Sequence, residues 1–543
     1  MEQFRSEIAR FSRDPIVRIC AVINNLVFGL EPDLDVTAHA LFALQIAGPR
    51  SQYLQTIRRL YPSRLILHRH QLLLVAKEAL LNCPEQGKLP SPGDDLLRIF
   101  LMASDHTNYK TSNRTDSIAE RSKDDDEVVR LIGEFFLSLQ ASRFNSYLPR
   151  LVRPLLILSH ICEPSDPFDL SALFERATGL SLKQYFSLVF ATGPAKATQH
   201  SVEAFAQNPD VLGVQKAWFV GSKITESQAQ AFLRDVSLTP VEFADFASTL
   251  SKGPNDFTVF KERPMIQLGD RYYAIDLYFL AEKNEASLFW RINDSLGKVE
   301  REKFHSFWGY LFQRYVDWVM NQSVDGRRNQ FVSTVHYQDE PNREVCDGLV
   351  ICKDGVVLLE DKGGMFTAAA KYGGDVQKLK IEIEEKLVHP KGVAQLARAV
   401  INLFGPEARR VRGLDLSLVP KVVPLLIVRD EAGGAFMLNA YLNKRFQQMI
   451  QGYRFSAIVT PLFCISADDF ERVSGYLKDK ALTEILEGRY RPDKELRSSF
   501  GLVENRALRD WRTRVPPVIR QGLDELKHLS NEILFGDPNF GDS

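Results

Sequence analysis

Between Val345 and Lys362 the chain reads VCDGLVICKDGVVLLEDK, two apolar runs on either side of Asp354-Gly355. Asp-Gly between β-branched residues is the turn pair of a two-residue hairpin, because both central positions need positive φ. With that turn, Lys353 faces Val356 and Asp347 falls opposite Lys362. Side chains two apart on a strand share a face. Glu360 and Lys362 therefore project together, Asp347 joins them from the neighbouring strand, and Asp361 points the other way. Two carboxylates crowded together repel, and a hard divalent cation relieves that repulsion by taking one or two carboxylates, waters and phosphate oxygens. Metal bound there polarises a phosphodiester and acidifies a coordinated water. Lys362 can steady the attacking hydroxide or the charge building on phosphorus.

Acid-x-Lys alone carries little weight: Glu384-Glu-Lys386 and Glu525-Leu-Lys527 show the same spacing in polar helical stretches. Glu360 and Lys362 differ in ending a strongly apolar strand, where partly buried charge is costly unless paired or metal-bound. The bland alternative is an Asp–Lys cross-strand ion pair at a sheet edge. His68-Arg-His70 has metal-like spacing but no acidic or cysteine partner nearby, and reads as a surface pair. His336 and His389 flank the hairpin and could shuttle a proton. Asp468-Asp469 after Ser466 reads as helix-start chemistry. Lys371, Lys378, Lys380, Arg409, Arg410 and Arg412 are the nearest basic residues for neutralising phosphates, and Gly363-Gly364 and Gly373-Gly374 permit close backbone approach or a hinge.

The elements that must position these groups follow from periodicity. A long amphipathic helix spans about 297–321, strands run at 331–337, 345–352 and 356–362, and a charged helical stretch near 375–388 precedes a second helix at 392–404. Strands at 421–428 and 457–465 follow, then a helix capped by Ser466 and a largely helical last sixty residues. Upstream, residues 1–255 read as all-α. Capping boxes stand at Ser181…Gln184, Thr225…Gln228 and Thr239…Glu242, a stop at Gly179, and an exposed polar loop at 104–127. Two short strands flank Leu268-Gly269-Asp270.

Asp347, twelve residues, then Glu360-x-Lys362 on a hairpin resembles the core signature of the PD-(D/E)xK, or restriction-endonuclease-like, nuclease superfamily, over about residues 290–480. The resemblance implies an α/β fold with an αβββαβ core in the C-terminal half. It implies Asp347, Glu360 and the backbone carbonyl of Asp361 as metal ligands and Lys362 as the catalytic lysine. Gln395 resembles the glutamine that some branches carry in the helix after the hairpin. Many members carry a glutamate in the preceding helix, in a G-x-x-F-E-x-Y setting. Here Gly309-Tyr-Leu-Phe312-Gln313-Arg-Tyr315 has glutamine at the acidic place, which can hydrogen-bond a metal-bound water but adds no charge. Glu300 and Glu302 lie two to three turns too early to replace it.

The chain has 543 residues, 68 basic against 69 acidic, so any nucleic-acid contact must come from a local patch rather than bulk charge. Its six scattered cysteines form no C-x-x-C pair, and neither a signal peptide nor a membrane span is visible, which points to a cytoplasmic protein. No P-loop, dinucleotide or zincin motif is present. The expected organisation is a helical region at 1–255 for partner, trigger or substrate recognition, a short β/helix connector at 256–296, the nuclease-like domain at 297–480 and a helical extension at 481–543. The expected function is Mg2+- or Mn2+-dependent DNA hydrolysis, in bacterial defence or DNA processing by the habits of the superfamily. The alternatives are a lapsed nuclease fold serving as a nucleic-acid or protein-binding platform, and a ribonuclease using the same site. Nucleic acid, a protein bound by the N-terminal region and a second copy of the chain are the partners considered.

Overall fold

The computed structural model describes residues 1–25, 67–91, 95–107, 124–140, 147–199, 204, 208, 210–250, 253–488 and 514–537. It is a mixed α/β structure in which helices cover both faces of a mixed sheet. No described helix is long and apolar enough to cross a membrane.

Upstream helices form where apolar residues recur on one face. Helix α1 (Arg13–Ile23) buries Ile16, Val17, Cys20 and Ile23, and α2 (Arg69–Asn82) packs against it. The boxes at Ser181 and Thr225 close reciprocally, Thr239 and Glu242 cap one another, and Gly179 takes φ 75° at a helix end. The stretch 104–127 is not wholly loop. Helix α3 (Leu97–Thr107) covers its start, and α4 (Asp125–Leu139) begins within its acidic run, where Asp125, Asp126 and Glu127 complement the helix N-terminus. Residues 108–123 lie outside the described set.

The region 1–255 is also not purely α. Strands β1 (Val214–Gln215) and β2 (Ser237–Leu238) join β3 (Met265–Leu268) and β4 (Arg271–Ala274) in a sheet ordered β1-β4-β3-β2. Two residues are too few to show alternation in sequence. The expected connector thus completes a sheet begun upstream, and continues as a 19-residue helix.

The larger sheet holds β5 (Asn329–His336), β6 (Glu344–Cys352), β7 (Gly355–Lys362), β8 (Lys421–Val428) and β10 (Phe463–Ser466) in the order β10-β8-β7-β6-β5, with β9 (Ile458–Val459) paired to β8. β5, β6 and β7 are antiparallel; β7, β8 and β10 are parallel. Alternation sends Val350, Val357 and Leu359 into one apolar core and Leu349, Val356 and Leu358 into another. The first core runs from the upstream helices through α7 (Leu277–Ser295) and α8 (Lys298–Ser323) to the last helix, Pro517–Phe535, and so crosses the expected boundaries at 255 and 480. The second lies under α11 (Val393–Phe404) and α12 (Phe436–Ile450), and α4 contributes Val128, Ile132 and Phe136 to it.

The hairpin turns one position earlier than expected. Cys352 pairs with Gly355, Lys353-Asp354 makes the loop, and neither Asp354 nor Gly355 has positive φ. Glycine is needed at 355 for a different reason: a Cβ there would lie 2.6 Å from the carbonyl oxygen of Lys421 on β8.

Candidate active site

The β6–β7 ladder ends at Gly348 and Leu359, and the next step in that register sets Asp347 across from Glu360, not from Lys362. The displacement is two residues, and Asp361, expected to point the other way, carries its carboxyl within electrostatic reach of Asp347, Asp317 and Glu360. Beyond Gly348 the side chain of Asp347 takes over from the backbone ladder, its Oδ2 accepting from the Asp361 N–H at 2.7 Å. Its Oδ1 accepts from Gln313 Nε2 at 3.3 Å. Lys362 Nζ donates to Glu360 Oε1 and, at 3.0 Å, to the carbonyl oxygen of Asp361. The structure therefore gathers Asp347, Glu360, Asp361, Lys362 and Gln313.

Helix α8 reaches the end of β7 through glycines. A Cβ on Gly363 would lie 2.9 Å from the Phe312 Cβ and 3.0 Å from the Gly309 Cα. That approach holds Gln313 and, one turn on, Asp317 over the end of the hairpin; both are half-buried beside the apolar face made by Phe312, Tyr315 and Val316.

Asp317 and Glu344 enlarge the cluster and were not singled out from sequence. Burial pushes the Asp317 carboxyl up to about 7, with Asp347 and Glu344 adding to the rise. Glu344 is raised by burial and by Asp347, against His336, a hydrogen bond from Gln313, and Lys362. Glu360, 1% exposed, is raised to about 8 by burial, with Lys362 opposing and Asp347 reinforcing. Burial pushes Asp361 well up, and Asp347, Asp317 and Glu360 add to it. Glu360 Oε2 and Asp361 Oδ1 are buried without hydrogen-bond partners. Both additions carried a signal: Asp317 stands at i+4 from the glutamine of the G-x-x-F-Q-x-Y stretch, and Glu344 opens the strand bearing Asp347.

Among the described residues no group of three or more His, Cys, Asp or Glu side chains is placed to hold a metal ion. Asp347, Glu360 and the Asp361 carbonyl are instead an all-oxygen set, the kind Mg2+ and Mn2+ supplement with water. Lys362 occupies two of those three groups with its ammonium. Of the two orphaned oxygens only Glu360 Oε2 belongs to that set, and it is an acceptor of the kind a hard divalent cation would satisfy.

Gln395 sits apart from the lysine. It lines a cleft of about 480 Å³ with Tyr337, Arg343, Glu344, Arg398 and Asn402, so Glu344 is shared between cleft and cluster. The basic residues divide. Lys371 is buried, held by Asp430 at 3.0 Å, and lines a separate cavity rather than the cleft beside Gln395. Lys380 pairs with Asp126 at 2.6 Å, and Arg409 pairs with Asp339 at 2.8 Å while lying over the Tyr337 ring. Lys378, Arg410 and Arg412 are exposed, and the 410–412 segment is bound to the end of β5 by Arg412 N–H to the His336 carbonyl and to the residues after it by Gln338 N–H to the Arg410 carbonyl.

The remaining histidines and acids separate by environment. His68 and His70 are not a surface pair: His68 caps α2, and His70 is buried against Asn255 at 2.9 Å, its pKa lowered to about 4 mainly by burial. His336 stands level with Glu344 on β5, whereas His389 is exposed. Asp469 N–H bonds Ser466 as a cap, and Asp468 pairs with Arg150 at 3.0 Å. Comparison with protein-family models, with curated proteins and with solved structures finds no match to this chain.

Proposed function

We propose that the chain is a metal-dependent nuclease that hydrolyses phosphodiester bonds of DNA, on a restriction-endonuclease-like core formed by α8, β5–β8 and α11. The observation that carries this reading is the carboxyl cluster of Asp317, Glu344, Asp347, Glu360 and Asp361, in which Lys362 bonds Glu360 and the Asp361 carbonyl and two buried oxygens are left unpartnered. A purely structural ion pair needs one acid for one lysine. This excess is a set of buried carboxyls, pushed toward the neutral form, that a divalent cation could turn into carboxylate ligands by displacing their protons.

Asp347, Glu360 and the Asp361 carbonyl would hold Mg2+ or Mn2+, which supplies Lewis-acid polarisation of the phosphate and a more acidic water. The chain's own residues do the rest. Gln313 and the Asp361 amide hold the Asp347 carboxylate in one orientation. Lys362, freed from Glu360, donates to the attacking water oxygen or a non-bridging phosphate oxygen as charge builds. Exposed Arg343, Arg398, Arg410 and Arg412, around and beside the cleft, neutralise neighbouring phosphates.

The test is to incubate the full chain with plasmid, linear and single-stranded DNA and with RNA, in Mg2+, Mn2+ or chelator, beside Lys362→Ala. Chelator-sensitive cutting of DNA that the variant loses supports the proposal. Cutting of RNA alone moves the substrate to RNA. Binding without cutting, unchanged in the variant, replaces the enzyme with a binding platform.

A further inference from the structure

Helix α8 turns one aromatic ring out into water beside the carboxyl cluster. Tyr310 is 56% exposed, the most of any aromatic side chain among the described residues. It stands three residues before Gln313, so the two are neighbours on one face of α8. The residue before it, Gly309, is the one whose Cα lies against Gly363, directly after Lys362. Gly364 is exposed, and nothing lies within 4 Å of where its Cβ would stand, so no side chain fills the surface there.

The ring is also held. The Arg314 guanidinium lies over it, 5.4 Å from the centroid, and is itself tied to Asp166 at 2.9 Å, Glu163 at 3.0 Å and the Ile161 carbonyl. Those two acids match the charge of Arg314, which leaves it a brace for the ring rather than a partner for phosphate. An isolated exposed apolar side chain needs no explanation. A ring that is braced, open to water and set one helical turn from the amide that holds Asp347 is a stacking platform.

We propose that Tyr310 stacks on an unpaired base of the DNA strand being cut, so that the substrate is single-stranded where the phosphodiester is hydrolysed. In a continuous duplex each base is paired at its edge and stacked on both faces, and offers no face to a ring outside the helix. In a single strand every base has a free π face, and stacking on it tolerates any sequence. The inference rests on the nuclease reading for the place of the ring beside Lys362, and narrows the substrate from DNA in general to single strands.

A single-stranded oligonucleotide with 2-aminopurine in place of several adenines tests it, titrated with the full chain in chelator and then cut in Mg2+. The probe's emission is expected to fall with the wild type and with Tyr310→Phe, which keeps the ring. With Tyr310→Ala it should not fall, and the Kd should weaken about tenfold. Tyr310 is exposed, so both variants are expected to melt as the wild type does. In Mg2+, Tyr310→Ala is expected to raise KM for single strands about tenfold, more than it lowers kcat, and the wild type to favour single strands over duplex by about tenfold or more in kcat/KM. Cutting in which Tyr310→Ala matches the wild type in KM and quenching overturns the inference and leaves the nuclease reading standing. Quenching that depends on Tyr310 without cutting of any DNA overturns the nuclease reading instead, and leaves the ring as a single-strand contact. No quenching by the wild type, or a preference for duplex, overturns the inference as well.

Discussion

Lys362 is bonded to Glu360 and to the Asp361 carbonyl, so the ammonium that pairs with Glu360 is the one the proposed reaction would use. Lys362→Ala is expected to lower DNA cutting by about 100-fold or more, measured as single-turnover rate in Mg2+. Asp317 offers a test on stability rather than rate. Its folded pKa of about 7 lies above the ordinary 3.8, so its contribution is full below the lower value and is lost as pH rises through the upper one. In chelator, Asp317→Asn should therefore leave stability unchanged near pH 4 and raise it above pH 7, by something on the order of 1–2 kcal/mol after allowing for partial exposure. Denaturant melts at the two pH values check this, and a variant less stable than wild type at pH 7 would contradict it. The sequence motif pointed to position 313 for the missing acid, because a linear pattern records one place on a helix. The fold uses the neighbouring turn as well, and only packing shows that residue 317 meets the same strand end.

The contact between α8 and β7 decides whether those side chains meet at all. Gly363→Val is expected to force α8 away from the hairpin, costing about 1–3 kcal/mol and abolishing cutting. Gly309→Ala, where an added Cβ meets nothing within 4 Å, should leave both unchanged, which thermal melts and cleavage rates would reveal. Much at this scale was legible in the sequence. The strand of β-branched residues at Val356-Val357, the apolar run at 421–428 and the capping boxes each encode their element locally. The hairpin register was not, because Asp354-Gly355 has a strong turn signal while Gly355 is glycine for the approach of Lys421. The two-residue strands β1 and β2 were equally hidden, since their pairing depends on partners far along the chain.

Across the whole molecule, buried ion pairs connect the upstream helices to the strand beside Lys362. Arg153, on the helix Leu148–Leu156, meets Glu285 at 2.7 Å and Glu471 at 2.6 Å; Glu285 meets Arg429 at 2.7 Å; and the Arg429 N–H bonds the Lys362 carbonyl at 2.9 Å. Burial pushes Glu285 up, but Arg153, Arg429 and Arg150 hold it down at about 2, so its stabilisation is lost as pH falls toward that value. Arg153→Met would leave two buried carboxylates short of a partner and is expected to cost about 3–5 kcal/mol in denaturant melts. The continuous core predicts that this loss lowers one shared unfolding transition in calorimetry, whereas two transitions moving independently would show separate folding units. The account as a whole stands on the carboxyl oxygens collected at the end of β7, and Mn2+ titration followed by electron paramagnetic resonance reads their capacity to hold a cation most directly. It predicts saturable binding to the full chain that disappears in both Asp347→Asn and Glu360→Gln. No saturable binding, or binding that survives both substitutions, would contradict it.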